Sequence, residues 1–304
     1  MKMNLREKAK QVLRILQFQR QRKKIRRLFY KYYGYEGNFE NPRTYEEKVQ
    51  FRKLYGNHEF YGRLADKVLV RDYVKERVGE RYLVPLLGVH ERLEERILEA
   101  LPPAFVVKVT NASDWNEIVL DKSKMDPLRT IRFFNRKVRE KYSKLKGEAH
   151  YDYCRPRIVI EKLLLDGGTP PWSTKLFCYN GPGGFDFATL VLSPDERHRG
   201  HFDRNWNFLD GNLTPEMMAR HAPSKLFPEM VEVARELSRG IDFVRVDLYE
   251  DGDRVWFGEL TFTSSAGFAR IKNPARARMR NDMWALDRDN PLLYREPSLV
   301  RSGR

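Results

Sequence analysis

Cysteine is scarce. Cys154 and Cys178 are the only two in 304 residues, and neither has a nearby partner. A disulfide framework is therefore excluded as the organising device. No Cys/His cluster has the spacing of a zinc site. No apolar run is long enough to span a bilayer and no signal-peptide pattern is present, so a reducing cytoplasm is the simplest expected setting. Repeats of solenoid period and low-complexity tracts away from the basic ends are missing too, which sets aside repeat arrays. Acid is in deficit: 57 Lys and Arg face 42 Asp and Glu, a formal net charge of +15. That charge predicts attraction to polyanions such as nucleotides, acidic glycans or anionic lipid. No nucleic-acid-binding motif accompanies it, so nucleic acid is not an expected partner.

The deficit is sharpest in residues 1–35. Arg20, Arg22, Lys23, Lys24, Arg26 and Arg27 crowd there, and Glu7 is the only acid. Residues 1–33 read as helix. Leu5, Val12, Leu13 and Leu16 share one face, and Phe18, Ile25, Leu28 and Phe29 share another. Two readings follow. One is a helix lying peripherally on anionic lipid at the inner face of the cell membrane. The other is a helix packed on the domain with a solvated basic face. The shift of the apolar stripe from one face to the other, and the lack of Trp, favour packing.

Further along, Thr44 and Glu47 form a capping-box pattern and predict a helix through Leu54. Helices are also expected over about 62–78, before Pro102, over about 126–146 and over 226–239. Extended segments are expected at 81–89, 104–109, 115–120 and 157–165. Trp172–Tyr179 and Gly184–Leu192 flank Asn180-Gly181-Pro182-Gly183, a turn signal. Cys178 lies in an apolar run and reads as a buried structural thiol. Hairpins outnumber strand–helix–strand alternations, so the expected class is α+β rather than a doubly wound parallel sheet.

The chemistry concentrates in a last hairpin, Phe243–Tyr249 and Val255–Thr261 around Glu250-Asp251-Gly252-Asp253. Strand side chains alternate, so Arg245, Asp247 and Tyr249 share one face, and Phe257, Glu259 and Thr261 share another. The turn brings Asp247 and Glu259 together. Two neighbouring carboxylates repel unless a cation or proton lies between them, and oxygen-only ligation suits Mg²⁺. Lys108 and Lys175 each sit inside an apolar run, where a charge is costly unless it reaches solvent or meets an anion such as phosphate. Two acids with Lys108, Lys175 and Arg245 suggest a site for a nucleotide and a metal.

In order, Leu64-Ala65-Asp66-Lys67, Tyr82–Val89, Phe105-Val106-Val107-Lys108, Trp115-Asn116, Arg155-Pro156-Arg157, Lys175–Gly181, Phe243–Tyr249 and Gly258–Thr263 resemble the TupA-like ATP-grasp proteins of cell-surface polysaccharide loci. The resemblance runs from about Asn41 to Phe268. It implies an ATP-grasp fold: two α+β lobes enclosing the nucleotide, with a helical N-terminal region. The implied division is a basic helix at 1–40, a helical region at 41–103, a small lobe at 104–160 and a large lobe at 161–304. Lys108, Lys175 and the loop residue Ser113 would face the phosphates, and Lys67 would help seat the nucleotide. Glu161, Lys162, Leu163 and Leu164 would form the adenine hinge. Asp247, Glu259 and Thr261 would hold Mg²⁺, with Thr261 where many ATP-grasp enzymes place an Asn. Arg245 and Lys175 would stabilise phosphoryl transfer. Two loops depart from the pattern: Asn111-Ala112-Ser113-Asp114-Trp115-Asn116 replaces a His-Gly-Ser-Gly-Trp-Asn type, and Thr263-Ser264-Ser265-Ala266-Gly267-Phe268 a Pro-Gly-Ser-Gly-Phe type. Asp114 adds negative charge where a triphosphate is expected.

The activity implied is ATP-dependent ligation of a carboxylate to an amine through an acylphosphate. The implied acid is a uronic acid of a surface polysaccharide or its precursor, and the amine an amino acid or other amine. Two other classes fit parts of the sequence. A metal-dependent glycosyltransferase would use an Asp-x-Asp motif, and Asp251-Gly252-Asp253 has that spelling but reads as a turn. A non-catalytic basic binding module would account for the charge alone.

Overall fold

The structure, a computed structural model, describes residues 5–295. Met1–Asn4 of the predicted N-terminal helix, the Leu5 side chain and the stretch after 295 lie outside the described residues. Among the described residues, ten strands form two sheets: β1 (Leu86–His90), β2 (Phe105–Val109), β3 (Asn116–Val119), β4 (Ile158–Lys162), β5 (Ser173–Gly181), β6 (Gly184–Leu192), β7 (Arg199–Phe202), β8 (Phe208–Gly211), β9 (Phe243–Asp251) and β10 (Arg254–Thr261). The smaller sheet has the order β1-β4-β2-β3 and the larger β10-β9-β5-β6-β7-β8. Every pairing within them is antiparallel. The helices are α1 (Leu5–Tyr33), α2 (Tyr45–Tyr55), α3 (His58–Ala65), α4 (Val70–Arg77), α5 (Glu95–Glu99), α6 (Pro127–Lys137), α7 (Ser143–Lys146), α8 (Pro215–Arg220), α9 (Phe227–Ser238) and α10 (Pro274–Met283). The class is α+β. Among the described residues, no helix is long and apolar enough to cross a membrane.

Alternation decides which face of each sheet is buried. In the small sheet Phe105, Val107 and Val109 of β2 and Ile158 and Ile160 of β4 pack with Phe134 of α6 and Leu98 of α5. Their neighbours Val106, Lys108 and Glu161 therefore face the other way. In the large sheet Leu176, Cys178, Val244, Val246 and Leu248 pack beneath Met230, Val233, Ala234 and Leu237 of α9. This leaves Lys175, Arg245, Asp247 and Tyr249 on the opposite face. Cys178 is fully buried, and burial holds its thiol well above its usual range.

The segment 81–89 contributes β1 to the small sheet, so that sheet draws on residues before 104. Two long predicted helices are each broken by a side chain that takes the place of helical hydrogen bonds. Asp66 ends α3: its Oδ1 accepts the N–H groups of Val68 (2.8 Å) and Leu69 (3.1 Å), and Arg157 pairs with it at 3.1 Å. Asn111 donates its amide to the carbonyls of Val138 (3.2 Å) and Glu140 (3.3 Å), just where α6 stops. Strands β7 and β8 and helices α8 and α10 carry sequence signals too short or too polar to have been read. The capping box at Thr44 is present, with the Glu47 N–H donating to Thr44 Oγ1 at 3.2 Å.

The helical N-terminal region grips the large sheet through Arg52 of α2. This side chain is 1% exposed and paired with Asp242, which is also buried. Its guanidinium donates to the carbonyls of Phe243 (2.7 Å) and Phe262 (3.0 Å) and lies over the rings of Tyr61, Phe243 and Trp284. Helix α1 is held at its C-terminal half: Ile25 and Phe29 are fully buried against Phe39, Leu54, Ala266 and Phe268.

Two stability outcomes follow from these buried polar groups. Arg52→Met leaves Asp242 buried without its cation and is expected to cost about 3–5 kcal/mol in urea unfolding; a loss under about 1 kcal/mol would contradict the role given to the pair. His150 is 3% exposed, and burial, with His58 and the cations Lys53 and Arg52, lowers it to about 3. The unfolded chain protonates it near pH 6.5, so this contribution is intact above about 6.5 and is lost as pH falls toward about 3. Stability should drop by up to about 2 kcal/mol from this group between pH 7 and 5, and His150→Gln should make that part of the profile flatter.

Candidate active site

A cleft of about 370 Å³ lies between the outward face of the small sheet and that of the large one. Lys108, Glu161, Lys162, Leu163, Leu164 and Lys175, all singled out in the sequence, line it together. Val84, Asn116, Ser173, Tyr249, Gly258 and the turn Ser193–Glu196 line it as well. Tyr249 was legible by alternation from Asp247. The turn at Ser193 gave no chemical signal in advance.

The cations of the cleft are paired with its acids. Lys108 Nζ meets Glu161 at 2.7 Å, and Arg71 stands 3.7 Å from the other oxygen of Glu161. Burial alone would lower the Lys108 pKa, but Glu161 and Tyr249 outweigh it and hold the ammonium protonated. Lys175 is the register partner of Asp247 and donates to it at 2.5 Å. Arg245 forks onto the same carboxylate, Nε at 2.6 Å and NH2 at 2.7 Å, and reaches Glu259 at 3.1 Å. Thr261 Oγ1 donates to Glu259 at 2.9 Å.

Asp247 and Glu259 are direct cross-strand partners, but for a reason the spacing did not show. The strand shifts register at Gly258: Phe257 pairs with Leu248 on the core side and Glu259 pairs with Asp247 on the cleft side. Phe257 and Glu259 therefore do not share a face, as strict alternation would have it. A bulge inserts one residue and flips the phase. Only glycine fits there, since a Cβ would stand 2.7 Å from the Tyr249 ring and 3.0 Å from the Asp247 carbonyl.

The two acids are not equally open. The Asp247 side chain is 2% exposed and Glu259 36%. Packing would raise the Glu259 pKa; Lys67, Arg245 and Lys175, with the Thr261 hydroxyl, reverse that and hold it at about 2. Two carboxylates and a hydroxyl form an all-oxygen donor set, which fits a small hard cation such as Mg²⁺. Among the described residues there is no cluster of three or more His, Cys, Asp or Glu side chains able to hold a metal. A cation at this pair therefore depends on oxygens brought by a ligand or by water.

Arg245, Asp247, Glu259 and Thr261 stand beside Lys175 but outside the cleft lining, and Lys67 and Ser113 stand outside it too. Lys67 donates to the Ala112 carbonyl at 2.8 Å. Ala112 is itself buried in the small-lobe core, and Ser113 donates its hydroxyl to Asp114 at 3.1 Å. Asp114 is exposed with φ of 64°. Asp253 of the Asp-x-Asp spelling sits at the exposed tip of the β9–β10 hairpin, paired with Lys225 at 2.5 Å, and does not line the cleft.

A family model described as TupA-like ATPgrasp matches residues 47–279, most of the chain. The chain belongs to that family. Its fold is accordingly ATP-grasp, with the cleft between the two sheets. Among solved structures it resembles D-alanine–D-alanine ligase from Helicobacter pylori at 14% identity and a TM-score of 0.43, over 73% of this chain and 61% of that one. It also resembles the Bacillus anthracis D-alanine–D-alanine ligase complexed with ATP at 14% identity and a TM-score of 0.42, over 82% and 74%. A third is the ATP-grasp ligase PsnB complexed with Mg and ADP, at 10% identity and a TM-score of 0.38, over 72% and 57%. This TupA-like chain thus spans about three-fifths of the H. pylori ligase's length. No curated protein matches it.

Gly258→Ala is expected to cost about 1–3 kcal/mol in chemical denaturation, because the new methyl meets a ring and a backbone oxygen rather than a flexible chain end. A variant as stable as the parent would show that the bulge accommodates a methyl and does not require glycine.

Proposed function

We propose that this TupA-like protein is an ATP-dependent carboxylate–amine ligase, with ATP in the cleft between the sheets. The observation that carries the reading is the joint placement of Lys108, Glu161–Leu164 and Lys175 on one cleft, with Asp247 and Glu259 paired further along the same sheet face. The backbone of Glu161–Leu164 serves as the adenine hinge. Lys108 and Lys175 exchange their carboxylate partners for phosphate oxygens. Mg²⁺ held by Asp247 and Glu259, with Thr261 beside them, would neutralise phosphate charge.

In the reaction a substrate carboxylate oxygen attacks the γ-phosphorus and ADP leaves. An amine then attacks the acyl carbon of the acylphosphate, inorganic phosphate leaves, and the amine loses a proton. Arg245 and Lys175 stabilise the charge on the transferring phosphoryl group. Lys67 reaches this region by charge, since it helps hold the Glu259 pKa down. Ser113 and its loop cover the phosphate end.

The acid we take to be a uronic acid of a cell-surface polysaccharide or its precursor, and the amine an amino acid or other amine. The net charge of +15 suits an acidic glycan. The setting we propose is cytoplasmic.

ADP release from Mg·ATP over a matrix of uronic acids and amines tests the reading. Turnover should need both co-substrates. Lys108→Ala and Glu259→Gln should each lower kcat by about 10²–10³. Turnover unchanged in both variants would remove the site, and donor-dependent release of UDP or GDP would replace the ligase with a glycosyltransferase.

A further inference from the structure

We propose that the outward face of α1 docks the protein on an anionic lipid bilayer. The helix is two-sided. One side, with Phe18, Gln21, Ile25 and Phe29, packs on the body, where Gln21 also donates to the Lys53 carbonyl at 3.0 Å. At about 100° per residue, Val12, Leu13 and Leu16 point to the opposite side, along with Arg20, Lys23 and Arg27. Val12 is 54% exposed, Leu13 58% and Leu16 47%, and the three cations are exposed as well. The face turned away from the body is therefore an apolar stripe continued by a row of Lys and Arg.

Among the described residues this face has nothing to rest on. Among the described residues, none before Phe18 belongs to a hydrophobic cluster. Arg20, Lys23 and Arg27 have no ion-pair partner there, whereas Arg22 and Arg26, turned toward the body, both pair with Glu40. A helical stretch of so few turns is marginal alone in water, so a surface that covers the stripe also stabilises the helix.

Charge selects the occupant. A second copy of the chain would bring two rows of cations together. A nucleic acid would neutralise the cations and leave Val12, Leu13 and Leu16 in water. An anionic bilayer satisfies both halves of the face. Apolar side chains enter the boundary of headgroups and acyl chains, and each Lys or Arg near the anionic surface adds about 1 kcal/mol. The packed reading holds for the body side of the helix, and the proposal assigns the lipid reading to the opposite side.

Docking also orients the active site. The packed side of α1 holds the turn Ser264–Gly267 that follows β10, and Tyr33 donates to the Gly267 carbonyl at 3.0 Å. That turn then lies about one helix diameter (roughly 10–12 Å) from the lipid. This last step rests on the ligase reading and favours a membrane-borne glycan as acceptor; the docking itself does not.

Co-sedimentation of the full chain with vesicles tests the docking without any activity assay. Wild type should bind vesicles of phosphatidylcholine mixed with phosphatidylglycerol, weakly or not at all vesicles of phosphatidylcholine alone, and less at high salt. Leu13→Ser with Leu16→Ser, and Arg20→Gln with Lys23→Gln and Arg27→Gln, should each lower the partition about tenfold or more. All five positions are exposed, so thermal unfolding should be unchanged. In Leu13→Trp, tryptophan emission should shift to the blue with anionic vesicles only. Absent or equal binding to both vesicle types, or no emission shift, would overturn the proposal. Binding lost in the cation variant but kept in the leucine variant would replace the bilayer with a soluble polyanion. A wild-type dimer that the leucine changes convert to monomer would replace it with a second copy.

Discussion

The position of the acid hairpin depends on a guanidinium buried beneath it. Removing a cation from water costs several kcal/mol even after relaxation. Arg52 offsets this with one carboxylate, two carbonyls and three aromatic faces. The other oxygen of Asp242 accepts the Tyr294 hydroxyl at 2.7 Å and the Asp287 N–H at 3.2 Å. One network thus joins α2, the residue before β9, the residue after β10 and the segment after α10. The open end of the β9–β10 hairpin, where β9 begins and β10 finishes, is gripped by one side chain. Few residues separate Asp242 from Asp247, so the anchor sets where the two carboxylates sit on the sheet face beside Lys175.

Charge in the cleft follows a related rule. Lys108, Lys175 and Arg245 are too enclosed to stand unpaired, because burying an uncompensated charge is more costly than burying a pair. Each is therefore held by Glu161 or Asp247. On the ligase reading these pairs are stand-ins. A triphosphate brings the anionic oxygens that the acids supply in its absence, and Asp247 becomes available to a cation as its own cations turn to phosphate. Glu259, more open and held ionised by Lys67 and Arg245, needs no such exchange. The more exposed acid is then the natural first contact for a metal arriving with its nucleotide.

Much of this arrangement was legible because it rests on local rules. Alternation alone puts Lys108 across from the small-lobe core, and the pairing of two acid-bearing runs around a turn brings Asp247 to Glu259. What could not be read depends on distant partners. Arg52 looks like any arginine on a polar helix until Asp242 is folded against it. The helix breaks at Asp66 and Asn111 come from side chains that satisfy backbone groups only in the folded chain. The bulge at Gly258 is the sharpest case. The hairpin reading put Asp247 near Glu259, but it is the bulge that makes them partners and turns Phe257 to the other face, because a bulge changes phase without changing composition. On α1 the two apolar stripes were visible, but which of them the body would cover was not.

The two loops that depart from the family pattern share a physical feature. In the first, Asp114 stands where the pattern has its second glycine, and its φ is 64°. In the second, Ser265 has φ of 52° and Ala266 follows at 55°. Both loops carry a left-handed backbone on residues other than glycine. For an L-residue it costs roughly 1–2 kcal/mol, less for Asp, whose side chain tolerates it. Such a cost persists only where the surroundings over-determine the conformation, and here they do. Lys67 fixes the Ala112 carbonyl and Asn111 is tied to the end of α6. Gln50 donates to the carbonyls of Ala266 and Gly267, and Lys53 to that of Ala266. Anchors outside the loops have taken over the task that glycine performs from within. These loops are built to hold one conformation, so the exposed Asp114 carries its charge on an anchored loop.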